Sequence, residues 1–197
     1  MKLYFTRGAC SLHPHIALLE AGLPFDLVRV DTRSHKTHDG RDFYAINPKG
    51  YVPVLELDDG ARLTEGAVID QYVADLKPEA NLAPPAGTMQ RYRLQEWLNF
   101  IASEIHKAFG PLHGSGSEEV KQQARERIAK RFDLVAHELE SREYLVGETF
   151  TVADAYLYNV LRWTKFTGID LAKWPALAAF FARIDRRPAV VAALAAE

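Results

Sequence analysis

The chain has 197 residues, 48% of them hydrophobic and 25% charged, with a formal net charge of −2. That balance belongs to a folded globular protein and excludes a disordered one, and the length suits one large domain or two small ones. The near-neutral charge leaves no footprint for nucleic acid or an anionic membrane, and no apolar run is long enough to span a bilayer.

Met1-Lys2 leads directly into strand-like sequence without an apolar signal region, so a cytoplasmic location is expected. Residues 2–6 and 25–30 read as strands around a helix over about 11–21, with Gly22 as its left-handed C-cap. Strand, helix, strand at that spacing predicts a βαβ unit with a parallel pair. Residues 52–57 and 61–64 flank Asp58-Asp59-Gly60, a hairpin turn, and a helix over about 65–75 follows. The stretch 77–88 contains three prolines and reads as a linker. Beyond it, apolar residues recur at helical spacing over about 90–109, 117–141, 152–164 and 175–185. Thr151 with Asp154 three residues on, preceded by Phe150, forms a capping pattern. The expected fold is an α/β domain over 1–78 followed by an all-α domain over 88–197.

Cys10 is the only cysteine, so no internal disulfide exists. It stands where the first strand runs into a helix, a place where backbone N–H groups favour a thiolate. It fits either a reactive thiol or a small buried hydrophobe. Val52-Pro53 at the start of a strand fits a peptide-binding edge, if the bond is cis, or an ordinary edge proline. Glu65-Gly66 at a helix N-terminus could hold the ammonium and carboxylate of an amino-acid end, or could be a plain dipole-stabilising carboxylate. Asn99, Ser103 and His106 share a helix face at i, i+4 and i+7, which also fits a solvated face. His113, Trp163 and Phe166 could line an apolar pocket or belong to the core. His13 and His15 are possible bases for Cys10. No pair of histidines shows zinc-ligand spacing with cysteine, so no metal is expected.

Together, Gly8-Ala9-Cys10-Ser11, Asn47-Pro48-Lys49-Gly50, Val52-Pro53, Leu63-Thr64-Glu65-Gly66 and Thr151-Val152-Ala153-Asp154-Ala155 resemble a bacterial glutathione S-transferase of the beta class. The resemblance covers the chain and implies a thioredoxin-like N-domain and a helical C-domain. It also implies a homodimer, with the helical domain forming the hydrophobic-substrate pocket and part of the interface. It further implies conjugation of reduced glutathione to small hydrophobic electrophiles, a role in detoxification. Val52 and cis-Pro53 would take the cysteinyl backbone, and Glu65 and Gly66 the γ-glutamyl end. Asn99 and Ser103 would reach that end from the partner subunit, while Cys10, Ser11 and His106 serve catalysis near the sulfur. Glu104 and Lys107 complete the expected glutathione set, although both also fit a solvated face.

The family pattern offers a lysine to the glycyl carboxylate where this chain has His35, with Lys36 adjacent. A histidine, with a reference pKa of about 6.5, is the weaker cation at neutral pH, so weaker glutathione affinity is expected. Two thiolates in contact repel, so Cys10 and glutathione should not both ionise. Cys10 either donates a hydrogen bond to the glutathione thiolate or becomes the nucleophile of a mixed disulfide. The second route would suit a thiol–disulfide oxidoreductase or reductive dehalogenase. A non-catalytic carrier of hydrophobic ligands is the remaining alternative.

Overall fold

A computed structural model describes all 197 residues. They divide into two compact units, one of residues Met1–Ala83 with Pro188–Glu197, the other of Pro84–Arg187.

The first unit contains β1 (Lys2–Phe5), α1 (Leu12–Glu20), β2 (Asp26–Asp31), β3 (Lys36–Thr37), β4 (Val54–Glu56), β5 (Arg62–Thr64) and α2 (Gly66–Leu76). The five strands pair in the order β3-β2-β1-β4-β5. β1 and β2 run parallel, as the βαβ spacing demands, and the other pairs are antiparallel. β1 is central, and its Leu3, Tyr4 and Phe5 are buried on both faces, which explains an unbroken apolar run in place of alternation. One side of the sheet packs Tyr4, Val28, Val30, Phe43, Ile46, Val52 and Val54 into a single cluster. Apolar residues at helical spacing, Leu12 and Ile16 on α1 and Ile69 and Val73 on α2, are fully buried.

The predicted turns form as expected. Gly22 stands at φ +63° and closes α1, its N–H bonded to the Leu19 carbonyl. Gly60 at φ +84° turns the β4–β5 hairpin, which Leu57 N–H closes onto the Ala61 carbonyl. Two elements are not visible in the sequence pattern. β3 is only two residues long, and the C-terminal helix Pro188–Ala196 is too uniformly apolar to show a face. That helix packs on α1 within the first unit, where the sequence places residues 188–197 with the helical domain.

The second unit contains α3 (Met89–Phe100), α4 (Glu118–Leu139), α5 (Val152–Arg162), α6 (Thr164–Thr167) and α7 (Pro175–Asp185). α5 is buried along its whole inner length, from Val152 to Leu161. Its start carries the predicted capping box: Asp154 accepts from the Thr151 N–H at 2.8 Å and hydroxyl at 2.9 Å, and from Leu145 N–H at 2.9 Å. The helix expected over 90–109 does not continue as one α-helix. After α3 the chain widens into a π-turn over Ile101–Ile105, then tightens into a 3₁₀ run over His106–Leu112 that contains Pro111. The constant angular step assumed for Asn99, Ser103 and His106 therefore fails beyond Phe100.

Candidate active site

In the first unit, Gly8 at φ +72° turns the chain out of β1, and Cys10 follows, partly exposed, just ahead of α1. The Cys10 thiol donates to the Val52 carbonyl at 3.4 Å. Only the protonated thiol makes that bond, because a thiolate has nothing to donate to an oxygen. Val52-Pro53 is cis, and the β4 ladder begins only at Val54, so the Val52 backbone lies outside it. Asn47 fixes the loop before this edge: its side chain donates to the Tyr51 carbonyl at 2.7 Å and accepts from Lys49 N–H at 3.2 Å. A thiol beside an unladdered backbone edge suits an extended peptide.

Glu65 adopts φ +66° and turns the chain from β5 into α2. Its carbonyl accepts the N–H groups of Val68 and Ile69 at 2.8 and 3.0 Å, so the amides of Gly66 and Ala67 precede the helical ladder. Such amides, with the helix dipole behind them, receive a carboxylate. The Glu65 carboxylate accepts from Lys49 Nζ at 2.6 Å, and Lys49 also reaches the Thr64 hydroxyl at 3.2 Å. Both ends of this pair are largely exposed, so a ligand ammonium can compete for the carboxylate.

Two expectations for this unit are corrected, and a third residue is placed. Ser11 does not face a sulfur: it is fully buried, donates to the Thr6 carbonyl at 3.2 Å and accepts from Thr6 N–H at 3.1 Å. Its hydroxyl ties the end of β1 to the start of α1. His13 and His15 are not bases for Cys10. Each is 1% exposed, and they meet Asp70 at 2.7 Å and Glu197 at 3.4 Å respectively, with α1 directing them inward. His35, expected where the family pattern has a lysine, is held by a neighbouring ring. It sits at φ +51° with its ring against Tyr44, centroids 4.4 Å apart, and the Tyr44 hydroxyl meets Nε2 at 3.1 Å. Its Nδ1 is buried without a hydrogen-bond partner. Lys36, the adjacent alternative, lies on β3 and is exposed.

In the second unit, Asn99 and Ser103 are exposed, and the Ser103 hydroxyl donates back to the Asn99 carbonyl at 2.9 Å. Glu104 is held at 2.7 Å by Arg131 and at 3.6 Å by Arg127. The Arg131 hydrogen bonds are the main reason its carboxyl lies below the usual range. Lys107 is exposed. His106 Nδ1 meets the Tyr156 hydroxyl at 2.7 Å, and its ring packs edge-on to Trp163 at 4.8 Å. Phe109 and His113 complete the cluster around Trp163, at 5.5 and 5.8 Å. Phe166, expected in the same pocket, is 81% exposed and does not join it. A separate groove of about 650 Å³ lies between α3 and the C-terminal part of α4, lined by Trp97, Phe100, Leu134, Arg93 and Arg142. His106 is not among its lining residues.

The sequence reading missed the partners that orient these groups: Tyr44 for His35, Lys49 for Glu65, and Tyr156 for His106. A tyrosine in an apolar helix carries little positional signal. Asp70 carried more, since a carboxylate between Ile69 and Val73 on a buried face requires a partner.

A mixed five-stranded sheet, a cis-proline edge facing a thiol and an attached helical unit define a thioredoxin-like protein with an appended all-α domain. Comparison with known proteins narrows this. Residues 8–76 match the model of the glutathione S-transferase N-terminal domain, and residues 94–188 that of the C-terminal domain. Glutathione S-transferase GstA of Escherichia coli O157:H7 is 45% identical over 198 residues, spanning 100% of this chain and 98% of that protein. A sphingomonad glutathione S-transferase solved with glutathione superposes with a TM-score of 0.97 at 48% identity, covering 100% and 98% of the two chains. The beta-class glutathione S-transferase of Sphingomonas chungbukensis gives 0.96 at 48% identity, with the same coverage. The chain belongs to the glutathione S-transferase family, and within it to the bacterial beta class.

Proposed function

We propose that the protein conjugates reduced glutathione to small hydrophobic electrophiles, with Cys10 as a protonated hydrogen-bond donor to the glutathione sulfur. The observation that carries this reading is the Cys10 thiol at 3.4 Å from the carbonyl of Val52, beside cis-Pro53. Glutathione lies along that edge, its cysteinyl backbone paired with Val52 and its γ-glutamyl carboxylate on the amides of Gly66 and Ala67. The Glu65 carboxylate takes the α-ammonium, and His35 stands in for the lysine toward the glycyl carboxylate. In the helical unit, His106, held by Tyr156, and the apolar residues around Trp163 serve the electrophile. A homodimer, in which Asn99 and Ser103 of each subunit serve the other, and a cytoplasmic role in detoxification complete the proposal.

The chemistry follows from charge. The glutathione thiol gives its proton to solvent water, and its sulfur attacks the electrophilic carbon, forming a C–S bond as the leaving group departs with its electron pair. Cys10 keeps its own proton and donates to the anionic sulfur, a charge-assisted bond stronger than the one it makes to a neutral carbonyl. The test compares conjugation of a chloronitroaromatic with reduction of a glutathionyl mixed disulfide, in wild type and Cys10→Ala. Conjugation that exceeds disulfide reduction, and is slowed but not abolished in Cys10→Ala, supports the donor role. A Cys10→Ala protein that conjugates normally but no longer reduces assigns Cys10 to redox chemistry instead. Absence of either turnover leaves the carrier reading.

A further inference from the structure

The first unit buries an ionisable pair that the proposed chemistry does not use. His13, in the first turn of α1, is 1% exposed, and Asp70, on α2, is fully buried. They meet at 2.7 Å between Nδ1 and Oδ2, while Asp70 Oδ1 has no hydrogen-bond partner. Burying two ionisable groups is often no more stabilising than an apolar pair of the same volume, so stability alone does not account for this one. The far edge of the imidazole points to what the pair does. Its Cε1 and Nε2 lie 2.5 and 2.6 Å from where a Cβ on residue 66 would stand. Gly66 is not in the left-handed region, so its backbone conformation does not call for glycine. The histidine ring does.

We propose that His13 is a positioning residue for glutathione. Pinned by Asp70, its ring is the floor on which Gly66 and the first turn of α2 rest, and it makes glycine obligatory at position 66. One buried strut thereby joins the start of α1, three residues beyond Cys10, to the start of α2, where Glu65 and the leading amides lie. This rests on the reading that the Gly66 and Ala67 amides receive the γ-glutamyl carboxylate. A side chain at residue 66 must displace either the ring or the turn, and in a packed interior such overpacking is resisted.

The experiment is a double-mutant cycle on the intact protein, reading KM for glutathione, kcat and melting temperature with a chloronitroaromatic substrate. Asparagine at position 13 keeps an amide donor for Asp70 but has no atoms where Cε1 and Nε2 stand. Gly66→Ser alone is expected to raise KM about tenfold, more than it lowers kcat. On the His13→Asn background the same substitution should cost less than about twofold in KM. Equal KM penalties in both backgrounds overturn the proposal, as does coupling seen in melting temperature but absent from KM. Glu65→Gln is the control for the site itself. A KM insensitive to both Glu65→Gln and Gly66→Ser overturns the ligand placement and the role of His13 with it. A KM sensitive to Glu65→Gln with uncoupled Gly66→Ser penalties overturns the role of His13 alone.

Discussion

Asp154→Ala removes the acceptor at the centre of the α5 capping box. Its carboxylate takes three donors, the N–H groups of Leu145 and Thr151 and the Thr151 hydroxyl, all within a fully buried pocket. The hydroxyl can turn to another acceptor, but the two amides are left buried and unpaired, at about 1–3 kcal/mol each. Loss of the cap adds about 1 kcal/mol, giving a total of about 3–7 kcal/mol. For a unit of roughly 100 residues each kcal/mol moves the melting temperature by about 4–8 °C, so a drop of at least about 12 °C is expected. The pH dependence has a definite sign. Burial pushes the Asp154 carboxyl up to about 6 from the usual 3.8, against the hydrogen bonds that lower it. The folded state therefore binds the proton more tightly, and that contribution, about 3 kcal/mol, is complete below pH ~4 and lost as pH rises through ~6. Thermal unfolding of wild type and Asp154→Ala should thus differ most near pH 4.5 and less at pH 7.5. A variant melting within 2 °C of wild type at both pH values would refute the reasoning.

Three further substitutions test the site. His35→Lys replaces a ring held against Tyr44 with a permanent cation, so KM for glutathione, measured between pH 6 and 8, should fall about fivefold. Unchanged affinity across that range contradicts the assignment of His35 to the glycyl carboxylate. Glu65→Gln removes the charge that meets the α-ammonium and should raise KM for glutathione about tenfold. Its melting temperature should barely move, because the Lys49 pair it breaks is exposed. Tyr156→Phe keeps the ring but removes the partner 2.7 Å from His106 Nδ1. It should lower kcat about threefold to tenfold with little change in KM for glutathione, and a change confined to KM contradicts the placement of His106.

The architecture was legible where chemistry repeats along the chain. The βαβ spacing, Asp58-Asp59-Gly60, Gly22 and the Thr151–Asp154 box each specify a local conformation without help from distant residues, and each forms as read. What was not legible depends on contacts that only the folded chain completes. Ser11 and Thr6 are close, yet a serine after a cysteine reads equally as a ligand donor or as a backbone tie. Only the completed turn out of β1 shows that both its hydrogen bonds are local. His13 and Asp70 are separated by 57 positions, so nothing in either neighbourhood showed that the histidine would turn away from Cys10. The π-turn at Ile101–Ile105 is likewise silent in composition, since every residue in it is an acceptable helix former or is only weakly disfavoured.

The Cys10–Val52 bond bears on how binding and chemistry are linked. A carbonyl oxygen has two lone pairs, and on the proposed reading the Val52 oxygen serves two donors, the Cys10 thiol and the cysteinyl N–H of glutathione. The thiol is the weaker donor of the two, so the peptide amide takes the better geometry when it arrives. The Cys10 proton is then released toward the incoming sulfur, whose negative charge is the stronger acceptor. On that reading, binding redirects a proton that Cys10 otherwise shares with the Val52 carbonyl. A mixed disulfide requires the opposite, a Cys10 thiolate that has given up its bond to Val52. On the proposed reading, the contact of 3.4 Å between Cys10 and the Val52 carbonyl is the one that the donor route uses and the attacking route gives up.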